Sequence, residues 1–260
     1  MNAQPPQFQV RLAKSEADLL SAQRLRYRVF VEELGGDGPL VDHAARIERD
    51  EFDDVNDHLV LIDTTRPEAE LDHVVGAYRL LLDDQAKAFG RYYSDKEYDL
   101  APLRASGRKL LELGRSCVLA DYRGGPGMYL MWNGLAEYVL QNHVDILFGV
   151  ASFHGTEPEQ LEQPLSWLYH HHLAPEPLRA RSRVAQPMNL LPKEALDRAQ
   201  TMAQMPALIK AYLRLGGMVG DGAYIDRDFN TIDVCLIMDT SEMSSRHRDY
   251  YTRKNAVPAR

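Results

Sequence analysis

Apolar residues in the first half of the chain recur in short runs that predict strands and in one longer stripe that predicts a helix. The strand-like runs are residues 8–12, 58–63 and 74–82. A short polar link separates the last two, which is typical of neighbouring antiparallel strands. Ser15 begins a capping box, and the stripe after it predicts a helix that runs past Phe30 and ends at Gly35.

The middle of the chain places a strand, a glycine-rich loop and a helix in direct succession. Residues 109–119 predict a central strand interrupted by Gly114, which indicates a bulge or the close approach of a ligand. The loop at 123–127 precedes a predicted helix of about sixteen residues. Beyond it the pattern predicts strands at 144–153, 181–184, 223–226 and 231–239, and helices at 157–172, 192–202, 206–215 and 242–254. Together these elements predict an α/β (α+β) fold with a mixed, mostly antiparallel central sheet and helices on both faces.

Composition narrows the class of protein. A chain of 260 residues, 45% of them hydrophobic, suits one domain over residues 1–260 with an elaborated C-terminal part from about residue 156. The net charge of -8 argues against nucleic acid as a partner. No run approaches the ~18 apolar residues of a membrane span, and no signal peptide is evident. Both cysteines lie in apolar runs. We expect a soluble, cytoplasmic protein with buried thiols and leave peripheral membrane contact open.

Charged residues lie inside or beside apolar runs at four places in the sequence. These places are residues 26–30, 50–53, 79 and 112–115. A charge that points inward from an apolar run is costly unless it is paired. The fold therefore either hides a salt-bridge network or forms a polar pocket for a charged small molecule, and we favour the pocket.

The strand, loop and helix around residues 110–142 resemble the donor-binding unit of the GNAT acyltransferase superfamily. The loop suits an anion because it exposes backbone N–H groups at a helix start, although a simple tight connection is equally consistent. The resemblance implies an acyl-donor site formed by Gly114, Ser116, Val118, Arg123, Gly124 and Gly125. Pro126 and Met128 stand where the superfamily loop has small residues. This departure favours acyl-phosphopantetheine on acyl carrier protein as the donor, with no bound cofactor.

Two further resemblances concern the acceptor. The four charged segments resemble the site of acyl-homoserine-lactone synthases, although the tryptophan that those enzymes carry shortly after the phenylalanine is missing here. A resemblance along nearly the whole chain is to the ornithine N-acyltransferases of ornithine-lipid synthesis, often grouped as hemolysin-like proteins. The matching segments are residues 26–30, 112–118, 122–126, 148–156, 208–216 and 220–222. This family implies transfer of a 3-hydroxyacyl group from acyl carrier protein to the α-amine of ornithine, giving lyso-ornithine lipid, with contact to the inner membrane through that product. The alternative is a lactone-synthase-like enzyme that uses S-adenosylmethionine.

These resemblances imply roles for the charged residues. The catalytic candidates are Glu112, as the base that takes a proton from the α-ammonium, and Arg115 beside it. The predicted substrate-binding residues are Arg26, Phe30, Asp50, Asp53 and Arg79. A guanidinium fork suits the carboxylate of ornithine, and an acidic pair suits its distal cation. Which arginine holds the carboxylate stays open at this point.

Three other signals carry less weight. The consecutive histidines 170–172 point in different directions on a helix, so we predict no metal site. Cys117 lies in a buried strand, where burial raises the pKa of a thiol, so we do not predict an acyl-enzyme. Among the basic patches, we predict that Arg179, Arg181 and Arg183 meet the acidic carrier protein.

Overall fold

The structure is a computed structural model that describes residues 6–184 and 186–241. Its strands are β1 (Phe8–Leu12), β2 (Asp57–Asp63), β3 (Val74–Leu82), β4 (Tyr98–Asp99), β5 (Leu110–Val118), β6 (Ile146–His154), β7 (Arg181–Ser182), β8 (Met218–Val219), β9 (Tyr224–Asp226) and β10 (Thr231–Asp239). Its α-helices are α1 (Glu16–Arg26), α2 (Asp83–Phe89), α3 (Ala101–Ala105), α4 (Pro126–Gln141), α5 (Glu162–His172), α6 (Arg198–Gln204) and α7 (Ala207–Arg214). The helix predicted at 242–254 lies outside the described residues.

The two ends of the first predicted helix are confirmed. The Ser15 side chain accepts a hydrogen bond from the backbone N–H of Asp18. After α1 the helix continues with π-helical geometry over Tyr27–Glu33, and Gly35 ends it with a φ of 73°. A left-handed residue just past a helix is the position where glycine is strongly favoured.

The helix predicted at 192–202 is wrong in its bounds. The structure has a 3₁₀ turn over Lys193–Ala195 and then α6, which begins after Asp197. The Asp197 carboxylate accepts hydrogen bonds from the N–H groups of Ala199 and Gln200, so it caps a new helix at that point. The apolar pattern alone predicts one continuous helix here, because it does not show that the Asp197 cap begins a new one.

The described residues divide into two compact units. The first comprises residues 6–89 with Leu113–Asn142, and the second comprises Gly90–Glu112 with the described residues after 142. The first three residues of β5 thus belong to the second unit and the rest of this strand to the first. The prediction of a single domain over residues 1–260 stays a prediction.

In the first unit, the strands lie in the order β1-β2-β3-β5. Helices α1 and α4 cover opposite faces of these strands. Val60 and Ile62 of β2 form a buried cluster with residues of α1. Leu59 and Leu61 point to the other face because side chains alternate along a strand. There α4 packs closely, since a Cβ on Gly134 would lie only 3.4 Å from a methyl group of Leu59. The prediction of helices on both faces of the sheet is therefore confirmed in this unit.

In the second unit, the start of β5 pairs in parallel with β6, over Leu110–Glu112. Strand β6 pairs along its full length with antiparallel β10, which also pairs with β8 and β9. β4 and β7 form a separate short antiparallel pair. One parallel pair among antiparallel ones confirms the predicted mixed, mostly antiparallel sheet. No described helix is long and apolar enough to cross a bilayer.

Candidate functional site

Six charged side chains of the first unit form a closed ring of ion pairs. In order around the ring they are Arg26, Glu48, Arg115, Asp50, Arg79 and Asp53. Arg26 donates two hydrogen bonds to the Asp53 carboxylate, at 2.7 and 2.5 Å, and its Nε lies 2.6 Å from a Glu48 oxygen. Arg26 and Glu48 are both only 1% exposed, so this half of the ring lies in the protein interior.

The other two arginines complete the ring. Arg79 donates to Asp50 and, at 3.1 Å, to Asp53. Arg115 lies 3.1 Å from Glu48 through Nε and 3.1 Å from Asp50 through Nη2. Each arginine thus bridges two carboxylates and each carboxylate bridges two arginines. The salt-bridge network that the sequence left open as an alternative is therefore present.

The ring keeps its own members charged. Burial by itself would raise the pKa of Glu48, but the guanidinium groups of Arg26 and Arg115 outweigh burial and hold this pKa below its usual value. The pKa values of Asp50 and Asp53 are lowered in the same way, against burial, mainly by Arg79 and Arg26 respectively. Burial alone would lower the pKa of Arg26. The carboxylates of Glu48 and Asp53 outweigh burial and raise this pKa above its usual value. All three carboxylates are therefore ionised at neutral pH.

Asp50 and Arg115 are the members of the ring that solvent reaches. Their side chains are 18% and 11% exposed, whereas the other four are at most 4% exposed. Arg115 also has a φ of 48°, a left-handed conformation that an L-residue with a side chain adopts at a cost. Its two ion pairs hold it there. A ligand that approaches the ring meets these two side chains first.

The irregularity in β5 lies one residue later than the sequence indicated. The backbone is left-handed at Arg115 and not at Gly114. A Cβ on Gly114 would meet no atom within 4 Å, so the strand borders open space at this glycine. Beyond it, Ser116 is half-buried, and Val118 is buried against Gly76, whose missing Cβ leaves room for it.

The predicted phosphate loop is exposed and begins α4. Arg123 forms a two-pronged ion pair with Glu33, at 2.5 and 2.7 Å, and donates from Nε to the carbonyl of Val118. Gly124 is left-handed with a φ of 74°, and Gly125 caps α4 without a side chain. The loop therefore presents backbone N–H groups and one guanidinium at a helix N-terminus.

Glu112 belongs to the second unit, and the other predicted site residues belong to the first. Its carboxylate accepts hydrogen bonds from the backbone N–H groups of Tyr93 and Ser94, at 2.8 and 2.7 Å, and from the Ser94 hydroxyl. These donors lie in the 3₁₀ turn Tyr93–Lys96, which fixes the orientation of the carboxylate. Phe30 is half-buried and packs against the core beneath α1.

Sequence reasoning missed Glu48. The available signal was the acidic run at 48–54, from which we selected only Asp50 and Asp53. The predicted burial of the Cys117 thiol is confirmed. Burial raises the pKa of this thiol to about 12, so it is protonated at neutral pH.

Comparisons with known proteins agree on the family. Residues 25–133 match the family model described as an acetyltransferase (GNAT) domain. The chain is 62% identical over 254 residues to L-ornithine N(alpha)-acyltransferase of Rhodobacter capsulatus, and this match covers 98% of each chain. The chain belongs to the L-ornithine N(alpha)-acyltransferase family. A second member, from Brucella abortus, is 42% identical and is matched over 94% of this chain and 88% of its own length.

Two solved structures have a fold similar to that of this family member. The structure of BjaI, a CoA-dependent acyl-homoserine lactone synthase, with MTA matches with a TM-score of 0.54 at 13% identity, over 97% of this chain and 92% of that one. FeeM, an N-acyl amino acid synthase from uncultured soil microbes, matches with a TM-score of 0.51 at 13% identity, over 92% and 93%. At these identities the likeness concerns the fold alone. The predicted fold class is confirmed.

Proposed function

We propose that this protein transfers an acyl group from a thioester to the α-amine of L-ornithine. The observation that carries the proposal is the 62% identity, along 98% of both chains, to an L-ornithine N(alpha)-acyltransferase. We propose further that the donor is a 3-hydroxyacyl acyl carrier protein and the product lyso-ornithine lipid. The amine attacks the thioester carbonyl, a C–N bond forms, the C–S bond breaks, and the carrier thiol leaves with a proton.

In this proposal the accessible side of the ring receives the ornithine head group. Arg115 binds the carboxylate of ornithine through its guanidinium, with Asp50 beside it. The partial exposure of these two side chains supports this assignment. Arg26 and Arg79 are buried and hold the carboxylates that position Arg115 and Asp50. Phe30 stays a predicted contact of the substrate.

The donor lies along β5 and the loop after it. The pantetheine arm passes Gly114, Ser116 and Val118, and the open space at Gly114 supports this path. Its phosphate lies at Arg123, Gly124 and Gly125, where the exposed helix N-terminus favours an anion.

Glu112 is the proposed base. A thioester is already activated, but an α-ammonium, which has a pKa of about 8 in water, must lose a proton before it can attack. A carboxylate that takes this proton, directly or through water, contributes about 10²–10⁴-fold. The hydrogen bonds from Tyr93 and Ser94 support the role because they fix the direction of the carboxylate. Backbone N–H groups at 114–116 would stabilise the oxyanion.

A product assay tests the function. The purified protein is incubated with 3-hydroxyacyl carrier protein, or with the same acyl group on coenzyme A, and with ornithine, lysine, glutamine or S-adenosylmethionine. Mass spectrometry then identifies the products. We expect N-acyl ornithine from the carrier-bound donor. A lactone from S-adenosylmethionine would instead support a lactone-synthase activity, and no ornithine amide with either donor refutes the proposal.

Two variants test the assigned roles. Glu112→Gln should lower kcat about 10²–10⁴-fold. The glutamine NH₂ cannot accept the backbone N–H that one carboxylate oxygen accepts now, so the thermal midpoint should also fall, and kcat is measured well below it. Glu137→Gln, the same change at an exposed site on α4, is the matched control. Gly114→Ala should raise KM for the donor without affecting KM for ornithine. Full activity of Glu112→Gln would exclude it as the base.

The carrier-docking patch stays a prediction. Arg179 and Arg181 both pair with Glu176, and Arg183 donates from Nε to the carbonyl of Asp95. Arg183→Glu should raise KM for the acylated carrier protein but not for the same acyl group on free pantetheine. An equal effect on both donors would contradict docking at this patch.

A further inference from the structure

Arg115 has a backbone conformation that is unusual for a residue inside a strand. It lies within β5, yet its φ of 48° is left-handed. This conformation costs a residue with a side chain free energy, whereas glycine adopts it without strain. The preceding residue is a glycine, Gly114, but its φ is not left-handed. A contact outside the strand therefore decides which residue takes this conformation.

The ring of ion pairs supplies that contact. The Nε atom of Arg115 lies 3.1 Å from Glu48 and its Nη2 atom lies 3.1 Å from Asp50, residues that are 67 and 65 positions earlier in the chain. Glu48 is 1% exposed and lies 2.6 Å from Arg26, which is equally buried. A carboxylate paired in this way in the interior is a fixed point for the guanidinium. The backbone at Arg115 then follows from the place where its side chain is held.

Arg115 also connects the two faces of β5. Cys117 packs in the buried cluster with residues of α1, the helix whose last residue belongs to the ring. Val118 faces the other side, because a Cβ on Gly76 would meet both its methyl group, at 3.3 Å, and Leu61, at 3.1 Å. Leu61 lies on the face that α4 covers, and the proposed donor loop begins α4. The ion pairs beside α1 thus hold a strand whose opposite face carries the donor loop.

We propose that Glu48 is a positioning residue for acyl transfer, which acts through Arg115 to keep β5 left-handed beside the donor slot. The proposal rests on the proposed function, because it takes the thioester to lie along β5. A change of residue 115 to the extended conformation would rotate the peptide groups on both sides of it and straighten the strand. The open space at Gly114 would change its shape as a result. Glu48 is buried, so it affects the donor only through its partners.

Two variants of Arg115 separate its side chain from its backbone. Arg115→Gly and Arg115→Ala both remove the guanidinium, so both should raise KM for ornithine about 10–100-fold. Only glycine keeps the left-handed conformation without strain. The donor should therefore bind to Arg115→Gly as it does to the parent, and about 5–30-fold more weakly to Arg115→Ala. Equal donor affinities of the two variants would overturn the proposal.

The order of stability is a second measurement. In a regular strand glycine is less stable than alanine, whereas at a left-handed position this order is reversed. The urea midpoint of Arg115→Gly should therefore exceed that of Arg115→Ala, and the opposite order would contradict the proposal. His143 is the matched control, since it is exposed, has a φ of 51° and follows α4 at the end opposite to the loop. His143→Gly and His143→Ala should show the same order of stability, and both should bind the donor as the parent does.

Glu48→Gln, made in two backgrounds, tests whether Glu48 acts through Arg115. With Arg115 present, the variant should weaken donor binding about 2–10-fold. In Arg115→Gly it should have no further effect, because no guanidinium is left to hold. Glu32→Gln is the control, and Glu48→Asp, which keeps the charge on a shorter side chain, serves if Glu48→Gln folds poorly. An equal loss in both backgrounds would show that Glu48 acts without Arg115 and would overturn the proposal.

Donor affinity is measured without turnover, which separates the positioning role from the proposed function. Calorimetric titration uses 3-hydroxyacyl carrier protein, and separately the same acyl group on coenzyme A, in the absence of an acceptor and well below the unfolding midpoints. If the variants bind the donor as expected but no ornithine amide ever forms, the proposed function fails and the positioning role stands. If the amide forms but all the variants bind the donor equally, the proposed function stands and the positioning role fails.

Discussion

Glu48 is the residue whose replacement tests the ring most directly. Its carboxylate is 1% exposed and lies 2.6 Å from Arg26 and 3.1 Å from Arg115. Glu48→Gln keeps the size and shape of the side chain but removes its charge. Three guanidinium groups then face two carboxylates in the interior.

The expected loss follows from these contacts. Two unit charges about 4 Å apart interact by about 4 kcal/mol at an effective dielectric constant of 20. Glu48 makes two such pairs, and the variant recovers part of their loss because it no longer buries an anion. When the lost attraction and the avoided burial of an anion are taken together, removal of one partner from a buried pair costs about 3–5 kcal/mol. We expect the free energy of unfolding to fall by that amount.

Urea unfolding followed by circular dichroism measures this loss. Glu32→Gln is the matched control, because Glu32 pairs with Arg46 at the surface, where the two side chains are 41% and 59% exposed. An exposed pair contributes about 0–1 kcal/mol. If Glu48→Gln loses no more stability than Glu32→Gln, ion pairing does not hold the ring together and our account of its charge balance is incorrect.

Three other predictions follow from the same structure. The pKa values of the ring carboxylates are lowered on folding. Their contribution to stability is therefore complete above their unfolded pKa values of about 4 and is lost as the pH falls below them. A thermal midpoint that stays constant as the pH is lowered from 6 to 3 would contradict this. The pKa of Cys117 is raised to about 12 by burial, so iodoacetamide at pH 8 should label it in urea but not in the native protein, as peptide mass would show. A Cβ on Gly220 would lie 2.7 Å from the carbonyl oxygen of Ala180, so Gly220→Ala should lose about 1–3 kcal/mol. Gly114→Ala, which meets open space, should lose far less, and equal losses would argue against this reading of the backbone.

Local structure was predictable where short-range chemistry decides it. Ser15 and Gly35 mark the ends of the first helix because a cap and a left-handed residue act over a few positions. The same chemistry explains the error near Asp197, where a capping carboxylate begins a new helix that the apolar pattern does not reveal. In β5, the pattern located the irregular region, but the left-handed residue is Arg115 because distant ion pairs hold it there.

The sequence by itself determined that certain charges had to be paired or bound to a ligand, since they are embedded in apolar runs. It also identified the strand that contains Glu112 and the loop and helix after it, because these elements are contiguous in the sequence. Only the tertiary structure decided which charges meet. Arg26 and Asp53 are 27 residues apart, and the loop between them has no periodic pattern. Glu48 was missed for the same reason: ion pairing depends on distance in space, and a single sequence records only distance along the chain.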